Sequence, residues 1–175
     1  MNYSIAAINQ MTQAEFVQSF GHVFEETPMV AEQTWADRPF RDFLDLHQKM
    51  VAVVTERMTP SEKRALICAH PELGTNQKMA DASVREQASS GLDQLNAEDY
   101  ARIRRLNAAY REKFGFPFVV AVKGLTVSDV FAAIETRLES ADVVEERVRS
   151  LTEICKIARF RLESLILQQP SQNST

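Results

Sequence analysis

Helix-start signals recur along almost the whole chain, and that recurrence constrains the fold more than any single motif. Thr12-Gln-Ala-Glu15 has the capping-box pattern, in which a hydroxyl accepts from an amide one turn on and a carboxylate reaches back. Phe16, Val17 and Phe20 supply the apolar face behind it, and Gly21 weakens that helix. Thr27-Pro28 reads as an N-cap followed by proline at the first helical position, so a short helix is expected from Met29 to Ala36. Arg38-Pro39 breaks it. From Arg41 to about Arg57, Phe43, Leu44, Leu46, Met50, Val51 and Val54 keep helical spacing. Thr59-Pro60-Ser61-Glu62 is a second capping box, whose helix runs into His70. Residues 71 to 81 read as a loop, and Ser83-x-x-Glu86 as a third capping box. Asn96-Ala-Glu-Asp99 opens a helix with Tyr100, Ile103, Leu106, Ala109, Tyr110 and Phe114 in register, stopped by Gly115. Thr126-Val-Ser-Asp129 starts another, to about Leu138. The longest helix is expected from Ala141 to Gln168, with Val144, Val148, Leu151, Cys155, Ala158, Leu162, Leu165 and Ile166 on one stripe. Gln169 to Thr175 reads as a frayed tail.

One run resists that pattern. Phe116 to Val122 has the composition of a strand, but nothing else in the chain offers it a partner, and a lone strand is not stable. It is read as an extended buried segment, ended by Gly124. The expected fold is a single all-α domain over residues 1–175, an irregular helical bundle of about seven to nine helices.

Charge and cysteine usage narrow the function classes. A net charge of −4 argues against a nucleic-acid surface, and Arg102-Ile103-Arg104-Arg105 reads as the solvated face of a helix. No run of eighteen apolar residues is present to span a membrane, and the N-terminus lacks a signal-peptide layout. The two cysteines, Cys68 and Cys155, form neither a metal spacing nor a disulfide framework, so a reduced cytoplasmic setting is expected. Cys68 lies two residues before His70, but Ile67 and Ala69 beside it suggest a buried, inert thiol.

The chemistry-bearing stretch is Ala69-His70-Pro71-Glu72-Leu73-Gly74. Pro71 cannot continue a helix and pushes the residue before it out of the α region, so His70 should sit on a rigid corner. Imidazole exchanges a proton near neutral pH. The plainer account is a histidine that ends a helix by capping its carbonyls. His22 and His47 join no metal motif, and no G-x-S-x-G elbow is present. Ser83 and Glu86 have an equally plain account as helix caps. The same helix start offers amides to a ligand oxygen, and Glu86 and Gln87 have the groups to read a polar heterocycle. On the last helix, Arg159 and Arg161 flank the apolar stripe on opposite sides. Periodicity leaves open which of them, if either, turns inward.

In combination these motifs resemble the OHCU decarboxylases (2-oxo-4-hydroxy-4-carboxy-5-ureidoimidazoline decarboxylases) of uric acid degradation. The resemblance runs from Phe24-Glu25 and Pro28-Met29-Val30-Ala31-Glu32 through Arg38-Pro39-Phe40 to Ala69–Gly74. It continues through Ser83-x-x-Glu86-Gln87-x-x-x-Gly91-Leu92 and Asn107-x-x-Tyr110-x-x-Lys113-Phe114-Gly115-Phe116-Pro117-Phe118, and ends at Arg161-Leu162. Met29 stands where the family often has Trp, and Glu72 where it often has Asp. The resemblance implies an all-α enzyme without metal or organic cofactor, acting on a ureidoimidazoline and forming a homodimer. It implies that His70 is the catalytic acid and that Pro71 shapes its corner. Ser83, Glu86 and Gln87 would bind the ureido and ring groups. The backbone of Phe118, Val119, Val120, Ala121 and Val122 would contact the ring, and Arg161 a substrate oxygen or carboxylate. The competing readings are a non-catalytic helical binding module and a decarboxylase of a related ureido-carboxylate.

Overall fold

The structure, a computed structural model, describes residues 2–74 and 81–166. Within them the chain is all-α. The helices are α1 Ile5–Gln10, α2 Gln13–Phe20, α3 Met29–Trp35, α4 Phe43–Ala52, α5 Pro60–Ala69, α6 Asp81–Ser89, α7 Ala97–Phe114, α8 Val127–Leu138 and α9 Val143–Leu165. Nine helices among the described residues fit the expected number, and no strand occurs there, only an isolated bridge between Tyr3 and Ile166. The tail from Gln169, part of the 71–81 loop and the expected end of α9 at 167–168 lie outside the described residues.

Several predicted caps are formed. Thr12 and Glu15 close a capping box on α2, and Thr126 and Asp129 close one on α8. Each cap is worth roughly 1 kcal/mol of helix stability. The bonds to Thr12 hold the Glu15 carboxyl below its ordinary range, and those to Thr126 do the same for Asp129. Asn96 caps α7, which Gly115 ends in the left-handed conformation, φ 77°.

Other expectations need correcting. Ser83 is not a cap, because α6 is already helical at Asp81 and Ser83 lies inside its first turn. Thr27 does not cap α3: its hydroxyl donates to the Glu25 carbonyl at 2.7 Å, and Pro28 holds the cap position without a side-chain bond. The helix read from Arg41 to Arg57 starts at Phe43, where Asp42 is extended and caps it, and widens into a π-helical turn over Val53–Arg57. α1 was not expected at all. It is six residues long, capped by Ser4, with only Ile8 buried, too short for periodicity to reveal. Cys68 is exposed: α5 buries Leu66 and Ile67, and Cys68 projects from another side. On α7 the buried face carries Asn107 rather than Ala109.

The described residues fall into two compact units, one up to Thr59 together with those from Ile157, the other from Pro60 to Lys156. The first has a core of Ile8, Phe16, Phe20, Phe40, Leu46 and Met50. The second is centred on Tyr110, whose ring meets those of Phe114, Phe116 and Phe118. The 116–122 run makes neither helix nor strand and is buried at Phe116, Phe118, Val119 and Val122.

Candidate active site

In the second unit, α5 ends at Ala69 and His70 follows it directly, 6% exposed. Its amide donates to the Ile67 carbonyl at 3.2 Å, and its Nδ1 lies 2.9 Å from the Leu66 carbonyl. A carbonyl only accepts, so Nδ1 carries the proton of that bond. The helix-capping account of His70 is therefore realised, and in the neutral ring it fixes the tautomer at Nδ1–H.

The corner after His70 is fastened to α6 and α7. The Gly74 amide donates to Gln87 Oε1 at 2.8 Å, and Asn107 Nδ2 donates to the Leu73 carbonyl at 3.0 Å. Glu72 receives Arg111 at 2.7 Å, so the carboxylate of this position works as an anchor of the corner. Gly74 is at φ +65°, and a Cβ there would lie 2.9 Å from a methyl of Leu95. Glycine is required at this point by both backbone and space. Of the three candidates on α6, Ser83 and Gln87 are buried and Glu86 is half-buried. The structure thus ties Gln87 to the His70 corner, a link no spacing argument contained.

The Phe118–Val122 segment is held by groups that sequence reading missed. Arg137 of α8 is buried, and its Nη1 donates to the Val119 carbonyl at 2.6 Å. Its Nη2 bonds Tyr110 Oη at 3.0 Å and Ser150 Oγ at 2.9 Å, and its Nε bonds Glu146 Oε1. Tyr110 also donates to Glu146 at 2.5 Å. Burial and that carboxylate push the tyrosine hydroxyl well above its ordinary range. The Ala121 amide donates to Glu153 Oε2 at 2.9 Å. The signal missed was the Glu146/Ser150 pair, four residues apart on one face of α9. Hydrophobic periodicity put Val144 and Val148 inward instead, and each is 59% exposed. Cys155 is half-buried, and burial raises its thiol to about 11, which keeps it protonated and unreactive.

In the first unit the choice between the two arginines of α9 is decided. Arg161 is 6% exposed and pairs with Glu25, 5% exposed, at 2.9 Å. Its Nη1 lies 3.4 Å from the carbonyls of His22 and Val23. Arg159 is exposed and pairs with Glu163 at 3.2 Å. Among the described residues, no group of three or more His, Cys, Asp or Glu side chains is placed to hold a metal ion. No helix among them is long and apolar enough to cross a membrane.

Fold and site together define an all-α protein with a buried histidine on a rigid proline corner, suited to proton transfer. The chain belongs to the OHCU decarboxylase family, whose model matches residues 9–163. It is 40% identical to the uric acid degradation bifunctional protein PucL of Bacillus subtilis, over 95% of this chain and 33% of that one. It therefore spans about a third of the length of that bifunctional relative. It is 39% identical to the 2-oxo-4-hydroxy-4-carboxy-5-ureidoimidazoline decarboxylase of Halalkalicoccus jeotgali, over 93% of this chain and 91% of that one. Among solved structures, that of an (S)-allantoin synthase superposes with a TM-score of 0.77 at 27% identity, covering 94% of this chain and 54% of that one.

Proposed function

We propose that the protein decarboxylates 2-oxo-4-hydroxy-4-carboxy-5-ureidoimidazoline to (S)-allantoin and CO2, with His70 as the acid. The observation that carries this reading is the commitment of His70 Nδ1 to the Leu66 carbonyl. A protonated imidazole held there can release only its Nε2 proton and remain bonded, as the neutral Nδ1–H tautomer.

The chemistry is balanced without a cofactor. The bond from the ring carbon to the carboxylate breaks and its electron pair moves toward the adjacent C=N, a sink built into the substrate. CO2 leaves, the hydroxyl on the carbon that lost it becomes the ring carbonyl as its proton passes to the ring nitrogen, and the carbon bearing the ureido group takes up one proton. Delivery from one face sets the configuration of that carbon, and Nε2 of His70 is the donor. Ser83, Glu86 and Gln87 bind the ureido and ring groups, Pro71 shapes the corner, and the backbone from Phe118 to Val122 lies against the ring. Arg161 binds the carboxylate or a ring oxygen through its planar fork of donors. The resemblance also supports a homodimer in the cytoplasm, which light scattering of the purified protein tests in its oligomeric part.

The purified protein, in chelator-containing buffer, is added to the fresh product of urate oxidase and hydroxyisourate hydrolase. Circular dichroism should show (S)-allantoin forming faster than in the uncatalysed mixture. His70→Asn should lose at least about a hundredfold in rate while the protein stays folded. Near-wild-type turnover by that variant would remove His70 from the mechanism, and no acceleration by the wild type would leave the binding-module reading standing.

A further inference from the structure

Between Phe118 and Val122 the chain makes neither helix nor strand, so nothing in regular secondary structure fixes its peptide groups. Two side chains do. Arg137 reaches the Val119 carbonyl at 2.6 Å, and its guanidinium lies 4.6 Å from the centre of the Phe118 ring. Glu153 receives the Ala121 amide at 2.9 Å. The residue between the two bonds is Val120. It is half-buried, and its own N–H and C=O make no hydrogen bond among the described residues. Phe118, Val119 and Val122 turn their side chains inward.

We propose that Arg137 and Glu153 are positioning residues. They hold the Val119 carbonyl and the Ala121 amide from opposite ends, so that the Val120 peptide groups face an amide-bearing heterocycle at a set angle. This rests on the proposed function, in which the 118–122 backbone meets the substrate ring. One N–H and one C=O of the same residue, separated by its Cα, complement the alternating N–H and C=O edge of a ureido or hydantoin ring. Peptide groups left for a ligand must be held from behind, because misplacement by about 1 Å costs on the order of a hundredfold. Arg137 is held in turn by Glu146, Tyr110 and Ser150, which leaves its fork one orientation.

Glu153 gives the clean test, because its two oxygens do different things. Oε2 accepts from Ala121, and Oε1 pairs with Lys156 at 2.6 Å. Glu153→Gln keeps an acceptor and loses the charge, whereas Glu153→Ala loses both. Steady-state kinetics on the ureidoimidazoline should show KM raised about tenfold or more in Glu153→Ala, with a melting temperature near that of the wild type. Glu153→Gln should return KM to within about twofold, and Lys156→Ala, which breaks only the ion pair, should behave as wild type. The double variant Arg137→Met/Glu146→Met, which removes both buried charges together, should raise KM in the same direction. If it does not fold, the Glu153 series decides alone. Unchanged KM in Glu153→Ala, or equal impairment in Glu153→Gln and Glu153→Ala, overturns the positioning role while the wild type still turns over. A wild type without activity on this substrate instead overturns the proposed function and, with it, this proposal.

Discussion

Each unit buries one arginine against one glutamate, and the two pairs were not equally visible. Arg161–Glu25 in the first unit joins two stretches that the family resemblance already marked. Arg137–Glu146 in the second joins residues that no motif singled out. Both arginines are almost fully buried, at 6% and 7% exposure, so burial alone does not tell the two apart. What differs is the company. Arg137 is met by a carboxylate, a phenol, a serine hydroxyl and a backbone carbonyl contributed by α7, α9 and the 118–122 segment. Arg161 is met by Glu25 and approached by carbonyls of the turn after α2. The first arrangement ties α7, α8, α9 and the 118–122 segment together; the second ties α9 to the turn after α2.

The largest expected effect breaks the architectural pair. Arg137→Ala leaves Glu146, 0% exposed, without its main partner, a change that costs about 3–5 kcal/mol. Denaturant unfolding should show that loss, and Arg137→Met/Glu146→Met should recover most of it by removing both charges. A single variant as stable as the wild type would mean that the cluster contributes nothing to the fold.

The Arg161 pair should respond differently. Arg161→Met/Glu25→Met should also recover stability, but turnover should stay down by about a hundredfold in kcat/KM, the scale of a lost buried charge pair. Arg161→Lys should restore only part, because a point charge does not reproduce a planar fork. Arg159→Ala should stay within about 0.5 kcal/mol in stability and turn over normally. A crippled Arg159→Ala beside a healthy Arg161→Ala would reverse the roles of the two side chains.

How much was legible follows from the kind of interaction. Thr12/Glu15, Asn96 and Thr126/Asp129 act within one turn of chain, so their pattern survives in the sequence, and the caps form as read. The Ser83 reading failed because the same residues also fit inside a helix that starts two positions earlier, and nothing local to the motif forbids that. Along α9 the apolar stripe was right at Leu151, Ala158, Leu162 and Ile166, only half-buried at Cys155 and Leu165, and wrong before Leu151. There the neighbours demanded hydrogen-bond partners, and Glu146 and Ser150 outcompeted Val144 and Val148 for the inner face. Periodicity registers apolar side chains and is blind to that demand. His70 was legible as a corner because Pro71 is adjacent. Its bond to Leu66 is a matter of ring rotation, and the Gln87–Gly74 link of tertiary structure, and neither leaves a local trace.

A third acid, Asp45, sharpens the contrast between buried pairs and shallow ones. Its carboxylate is buried, but its cations come from the surface. Arg41 Nη2 lies at 3.1 Å and Lys49 at 2.9 Å, and the Arg41 amide donates at 3.0 Å. The Arg41 amide, then Lys49, lower the Asp45 carboxyl from 3.8 to about 2. A carboxyl depressed in the folded state is ionised in both states above its unfolded value, so its stabilising contribution is fully present there. The contribution is lost as pH falls through the folded value, when both states bind the proton. The window is therefore from about pH 4 down to about pH 2. Other carboxylates titrate in the same range, so the informative quantity is the stability difference between wild type and Asp45→Asn. Denaturant unfolding across pH should show that difference constant from pH 7 to about pH 5 and shrinking steadily toward pH 2. Added salt should narrow it less than it narrows the exposed Arg149–Glu145 pair, because the carboxylate itself is out of water. A difference that stays flat to pH 2 would mean that Asp45 is held by its position at the start of α4 rather than by its charge.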